Sequence, residues 1–132
     1  MTGPVRDTDA MIAGMAPILR AGVFVFASST NDDLAGRALA VFEEDEGRSL
    51  ILPVEIALTS GLPTKPAMRC ITLTVQSSLE GVGLTAAVSG ALARAGIPAN
   101  MVAALRHDHV FVPEDMAHDA MRILLDLAAG TR

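Results

Sequence analysis

Residues 68–113 constrain the fold most, because the hydrophobic period there changes from two to about 3.6 and back to two. Residues 68–75 are dense in β-branched side chains. Alternation puts Ile71, Leu73 and Val75 on one face and Cys70, Thr72 and Thr74 on the other. One apolar and one hydroxyl-bearing face suit a sheet covered by helices on one side only. A Ser/Gly-rich turn follows, in which Ser77 and Glu80 have the spacing of a capping box. Leu84, Ala87, Val88, Ala91, Leu92 and Ala95 then recur at helical spacing, Gly96 is placed to end the helix, and Pro98 forbids its continuation. Two short strands joined at residues 106–109 come next. A last helix from Glu114 turns Met116, Ala120, Ile123, Leu124 and Leu127 inward. The order β-α-β-β-α predicts a ferredoxin-like α+β fold with antiparallel sheets.

Upstream, Thr8 or Asp9 is placed to cap a short helix through Met15, with Met11 and Met15 one turn apart on a buried face and Pro17 ending it. Residues 21–27 are apolar on both faces and predict a central strand. Residues 28–33 are too polar for a core helix and read as a connection. Residues 37–44 and 48–52 predict a hairpin around an acidic turn, and Pro53 suits the first position of a short helix to Thr59. Residues 60–66 hold two prolines and a glycine, and place a boundary between an irregular N-terminal half, 1–62, and a C-terminal domain, 63–132. Three strands precede this linker and three follow it, and the C-terminal domain has no closing strand after its last helix. Either the halves lend strands to each other or another subunit covers the open edge.

With 132 residues, 51% of them hydrophobic, the chain is enough for one domain or two small fused halves. It has no apolar run of membrane-spanning length, and its acidic N-terminus lacks the hydrophobic core of a signal peptide. The single Cys70 agrees with a reducing cytoplasm. A net charge of −5 without a clustered basic face argues against nucleic acid as a partner, and the lack of Trp and Tyr removes the usual stacking platforms.

Gly81 and Gly83 stand where the helix of the C-terminal domain starts. Glycines there let a ligand or a second backbone come close, and the first N–H groups of a helix suit a carboxylate. They serve a tight strand-to-helix turn equally well. The acidic run at residues 43–46 lacks the oxygen spacing of a calcium loop and reads as a solvated turn. His107 and His109 leave the same face of an extended segment, but zinc needs further ligands and nothing places His118 or Cys70 beside them. No metal and no cofactor are expected. Asp108 suits the turn itself. No phosphate loop, CxxC pair or Ser/His/Asp spacing appears. A metal-dependent hydrolase or lyase using His107, Asp108 and His109, with Glu80, is the enzymatic alternative.

Gly83-Leu84, the helix after them, and Gly96-Ile97-Pro98-Ala99-Asn100 resemble the ACT domain, a small-molecule sensing module. The longer runs CITLTVQSSLEGVGLTAAV and HDHVFVP, with Gly22-Val23-Phe24-Val25-Phe26, resemble a family of small bacterial proteins with ACT domains in tandem. The resemblance implies two ACT-like βαββαβ halves and a regulatory, non-catalytic role like that of aspartokinase ACT domains. It implies an amino acid bound between paired units. The contacts would come from Ser77, Ser78, Leu79, Gly81, Val82, Gly83 and Leu84 before the helix, and from Asn100, Met101 and Val102 at the next strand. A homodimer is expected, because each chain offers one complete helix-start turn. Residues 28–33 depart from a regular ACT repeat. A ligand-free assembly module is a further alternative.

Overall fold

A computed structural model of the chain describes residues 7–76 and 78–130. Its elements are α1 (Thr8–Ala13), β1 (Pro17–Leu19), β2 (Phe24–Ser28), α2 (Asp32–Arg37), β3 (Ala40–Glu44), β4 (Gly47–Pro53) and α3 (Val54–Thr59). They continue with β5 (Met68–Leu73), α4 (Leu84–Arg94), β6 (Asn100–Ala103), β7 (Asp108–Pro113) and α5 (Ala117–Ala128). The fold is α+β and ferredoxin-like, as the order of elements predicts. These elements group into two compact units. One is Ala21–Met68, and the other joins the segment up to Arg20 to the segment from Arg69 onward. This grouping differs from a division at 62/63, and the pairing of β1 is the physical reason.

In the unit Ala21–Met68, β2, β4 and β3 form an antiparallel ladder with Phe26 opposite Ile51 and Ile51 opposite Ala40. On its other side β2 pairs Phe24 with Met68, so it is an interior strand as its apolar composition predicts. Val25, Leu50 and Leu52 face Leu34 of α2 and Ala57 of α3 in one core. The polar connection expected at residues 28–33 instead leads into α2. The Asn31 side chain accepts a hydrogen bond from the Asp33 N–H at 2.9 Å, and only Leu34 of the helix is buried. One buried residue in six gives no periodicity to read, so the cap is the main signal. Arg48 ties the hairpin to α2 by ion pairs with Glu43 at 2.7 Å and Asp32 at 2.9 Å.

In the second unit the chain runs β5-α4-β6-β7-α5, and β5 is flanked by β7 and by β1, with β6 at the outer edge beyond β7. β1 pairs antiparallel with β5, Pro17 opposite Leu73 and Leu19 opposite Ile71. The closing strand missing after the last helix is therefore supplied by the N-terminal segment. Proline is at home on such an edge, where its lack of an N–H breaks no ladder. Ahead of β1, α1 is capped by Asp7, whose carboxylate accepts from the Ala10 N–H at 3.0 Å, and not by Thr8 or Asp9. The helix ends at Ala13, short of Met15, yet Met11 and Met15 are both buried as expected. They join Ile71, Leu73, Leu84, Val88, Leu92, Val110, Leu124 and Leu127 in one core.

α4 begins at Leu84, with Gly83 as its N-cap, so Glu80 lies outside the helix; its N–H bonds the Ser78 hydroxyl at 3.0 Å. The capping partner expected at Ser77 lies outside the described residues. At the other end the Gly96 N–H bonds the Ala93 carbonyl and the Ile97 N–H bonds the Leu92 carbonyl, with Gly96 at φ 75°. This is the paired closure that a left-handed residue after a helix permits. α5 follows a single 3-10 turn at Glu114–Met116.

Candidate functional site

The segment between β5 and α4 wraps a small cavity of about 140 Å³ inside the second unit. Ser78, Leu79, Gly81, Gly83 and Leu84 line it from the loop and helix start, with Thr85 one residue further on. Met11 of α1, Ala103 at the end of β6 and Asp108 at the start of β7 complete the lining. Five of the ten residues expected to contact a ligand thus meet around one space. Ser77 lies outside the described residues.

The other four stand elsewhere. The Val82 side chain is 76% exposed, and its carbonyl accepts a hydrogen bond from the Thr8 hydroxyl. Asn100 donates from its side-chain amide to the Phe111 carbonyl at 3.4 Å, closing the β6–β7 pair. Met101 packs against the core, and Val102 pairs with His109. None of these four lines the cavity.

The N-terminal helix shapes this loop directly. Gly83 has φ 107°, and a Cβ there would come within 2.7 Å of Thr8 Cγ2. A Cβ on Gly81 would come within 3.1 Å of Met11 Sδ. Both glycines are therefore needed for close approach by the chain's own α1. Gly83 offers no side-chain cap, and the first helical bond of α4 runs from the Ala87 N–H to the Gly83 carbonyl at 2.9 Å. The N–H groups of Leu84, Thr85 and Ala86 precede it and give this end of the cavity its partial positive charge.

Four contributors, Met11, Thr85, Ala103 and Asp108, escaped the sequence reading, and two of them come with a different expected role. Met11 looks like core filler, and it is largely that, with a cavity wall as a second role. Asp108 looks like a turn residue, whereas it begins β7, is 7% exposed and lines the cavity. Strand alternation sends its neighbours the other way. His109 Nδ1 lies 2.9 Å from Thr72 Oγ1, and His107 Nδ1 lies 3.5 Å from the Val75 carbonyl. Among the described residues no three His, Cys, Asp or Glu side chains gather as a metal group. Burial pushes the Cys70 thiol above its ordinary pKa, opposed by the nearby Arg20 charge, which disfavours a thiolate nucleophile.

Burial also lowers the His109 pKa, helped by the charges of Arg20 and His107 and opposed by Asp108. The unfolded chain then binds a proton at higher pH than the folded one. Stability is full above the ordinary histidine pKa of 6.5 and falls as pH drops from there through the lower folded pKa. Thermal melts from pH 7.5 to 5 are expected to show this decline, and it should shrink in folded His109→Gln. An equal slope in both proteins would remove His109 as its source.

ACT-domain family models match the chain over residues 4–69 and over residues 67–126. A Vibrio cholerae protein of unknown function, described as a possible transport protein, is 40% identical, covering 88% of this chain and 92% of its own, with a TM-score of 0.79. The chain belongs to the ACT-domain family. Its ACT architecture also matches the ligand-free regulatory subunit of aspartate kinase from Thermus thermophilus, at 9% identity, 86% and 97% coverage and a TM-score of 0.62. Clostridium acetobutylicum aspartate kinase matches at 9% identity and a TM-score of 0.62, with 86% of this chain against 34% of that one. At these identities the likeness to the kinases is one of fold. Among proteins of curated function, none matches. ACT domains are regulatory modules, and the two ACT family matches divide the chain near residue 68, where the compact units also meet in sequence. Among the described residues no helix is long and apolar enough to cross a membrane.

Proposed function

We propose that this ACT protein is a non-catalytic regulator whose ligand is a small amino acid, held in the cavity at the start of α4. The observation that carries the reading is the cavity itself, about 140 Å³ with the uncapped N-terminus of an eleven-residue helix in its wall. A cavity of about 150 Å³ accommodates a six-carbon ring, so the space suits a molecule of similar size. A carboxylate is the natural partner for the N–H groups of Leu84 and Thr85. The protein works in the cytoplasm, in keeping with its one free, buried cysteine.

The assembly is a homodimer with the ligand near the junction of paired units. β6 is an edge strand, and an open edge invites a second copy. Antiparallel pairing of two β6 strands about a point between Met101 and Val102 sets the partner's Asn100 opposite Ala103, which lines the cavity. Asn100 and Met101 then approach the ligand from the paired chain, and Asn100 can both donate and accept.

Titration of a panel of amino acids, followed calorimetrically, tests the reading on the wild type and on Ala103→Leu, which fills the cavity. At least one small amino acid is expected to bind below millimolar, and Ala103→Leu to weaken it by roughly ten-fold or more, about 1.4 kcal/mol. Gly83 is a poor choice of probe, since any side chain there collides with Thr8. Light scattering on the same samples should give twice the chain mass. No binding at millimolar concentration would sink the sensor and leave an assembly module. A concentration-independent monomer that still binds would confine the site to one chain.

A further inference from the structure

Ile71, Leu73, Val110 and Val112 turn into the core shared with α4 and α5, so strand alternation sends Cys70, Thr72 and His109 to the opposite face of the sheet. Pairing aligns four side chains there in one row across four strands. Ile18 of β1 stands opposite Thr72 of β5, Thr72 Oγ1 lies 2.9 Å from His109 Nδ1 of β7, and His109 stands opposite Val102 of β6. One step further along β1, the Arg20 N–H donates to the Cys70 carbonyl at 2.9 Å, so Arg20 and Cys70 are neighbours on the same face. The Arg20 side chain bonds the Cys70 thiol, and its charge also reaches His109.

The protons available fix what this group presents. A guanidinium only donates, so the Cys70 thiol, kept protonated by burial, accepts from Arg20. The thiol proton then goes to Thr72 Oγ1, and the Thr72 hydroxyl proton to His109 Nδ1. Burial keeps the His109 ring neutral near pH 7, which leaves its one N–H at Nε2. Among the described residues Nε2 has no protein partner and Arg20 makes no ion pair. Asp108, the carboxylate next to His109 in sequence, is buried on the other side of the strand. Two donors and a single positive charge are therefore left without a counter-ion.

We infer that Arg20 and His109 form a second binding site, distinct from the cavity at α4, for the carboxylate of a molecule with an apolar body. The carboxylate accepts from the guanidinium and from the Nε2–H, charge-assisted bonds that are stronger than neutral ones. Ile18 precedes Arg20 by two residues on the same face, is 54% exposed, and offers the hydrocarbon part a surface. Val102 bounds the other end of the row. Neighbouring strands are about 4.8 Å apart, so the row from Ile18 to His109 spans roughly 10 Å, which suits a short fatty or aromatic acid. One cation matches one anion. A phosphate dianion would bring a charge that this face does not neutralise, and an amine would meet only donors.

Hexanoate is the probe, titrated at pH 7.5 into the wild-type protein and followed by NMR. Hexanol lacks its charge, acetate lacks its chain, and inorganic phosphate is the competing oxyanion. Hexanoate is expected to bind at millimolar concentration or below and to exceed each of the three by roughly ten-fold. Arg20→Gln should remove the advantage over hexanol, whereas Ala103→Leu, which fills the cavity at α4, should keep it. Hexanoate binding no tighter than hexanol overturns the site, as does undiminished binding by folded Arg20→Gln. Phosphate binding as tightly as hexanoate overturns the ligand class. Loss of hexanoate binding in Ala103→Leu places the carboxylate at α4 and overturns the second site. If Arg20→Gln does not fold, the wild-type ranking and Ala103→Leu decide. An amino-acid panel that fails at α4 leaves these outcomes unaffected.

Discussion

Residues 63–132 expressed alone should fail to fold cooperatively, although they contain every strand and helix of a contiguous C-terminal ACT match. The segment lacks β1, so β5 is left with an open edge along Ile71–Leu73. It also lacks Met11 and Met15, which are buried in the core with Ile71, Leu73 and Leu124. Emptying two methionine-sized spaces costs roughly 2–5 kcal/mol each, against a total stability of about 5–15 kcal/mol for a typical domain. A permuted chain that runs from residue 69 to 130 and then, through a flexible linker, over residues 7–20 should recover a sharp urea transition. The comparison needs only circular dichroism against denaturant. A cooperative transition in the unsupplemented segment, equal to that of the permuted one, would show that the N-terminal segment is dispensable to this unit.

The second large effect is expected in the whole chain. Leu92→Ala and Ile71→Ala should each lower the unfolding free energy by about 2–5 kcal/mol. Both side chains are fully buried in the core between α4, α5 and the sheet. Leu92 has a further duty, since its carbonyl accepts the Ile97 N–H at 3.0 Å in the closure of α4. Ala keeps that carbonyl but leaves the space behind it empty, and interiors relax only partly. Losses below about 1 kcal/mol for both would mean that the buried face of α4 and β5 is misassigned.

The sequence was most legible where one period ran for long enough. β5, α4 and α5 follow from alternation or from apolar residues three and four apart, and Ile71, Leu92, Leu124 and Leu127 are core residues as expected. It was least legible in short elements. β1 is three residues beginning with proline, a composition that reads as the end of a helix, not as a strand. α2 buries only Leu34. The start of α4 was misplaced because Ser77 and Glu80 imitate a capping box, while a positive-φ glycine and the crowding by Thr8 set the true boundary. The candidate site shows the same division. The loop contributors are adjacent in sequence and could be named together. Met11 and Asp108 come from distant segments, and nothing local marks them as neighbours of Gly83.

The partnership of β1 with β5 also sets an order of events as the polypeptide emerges from the ribosome. The segment Ala21–Met68 holds its own core and can close as soon as it is made, since contacts within it span few residues. Residues 7–20 have no such option. Ile18 must wait for Thr72, and Met11 and Met15 must wait for α5, about a hundred residues further along the chain. Until then those methionines form an exposed apolar segment joined to a folded neighbour, the kind of surface that chaperones and aggregation both seek. Met11 and Met15 are thus buried only after a unit that follows them in sequence has already closed.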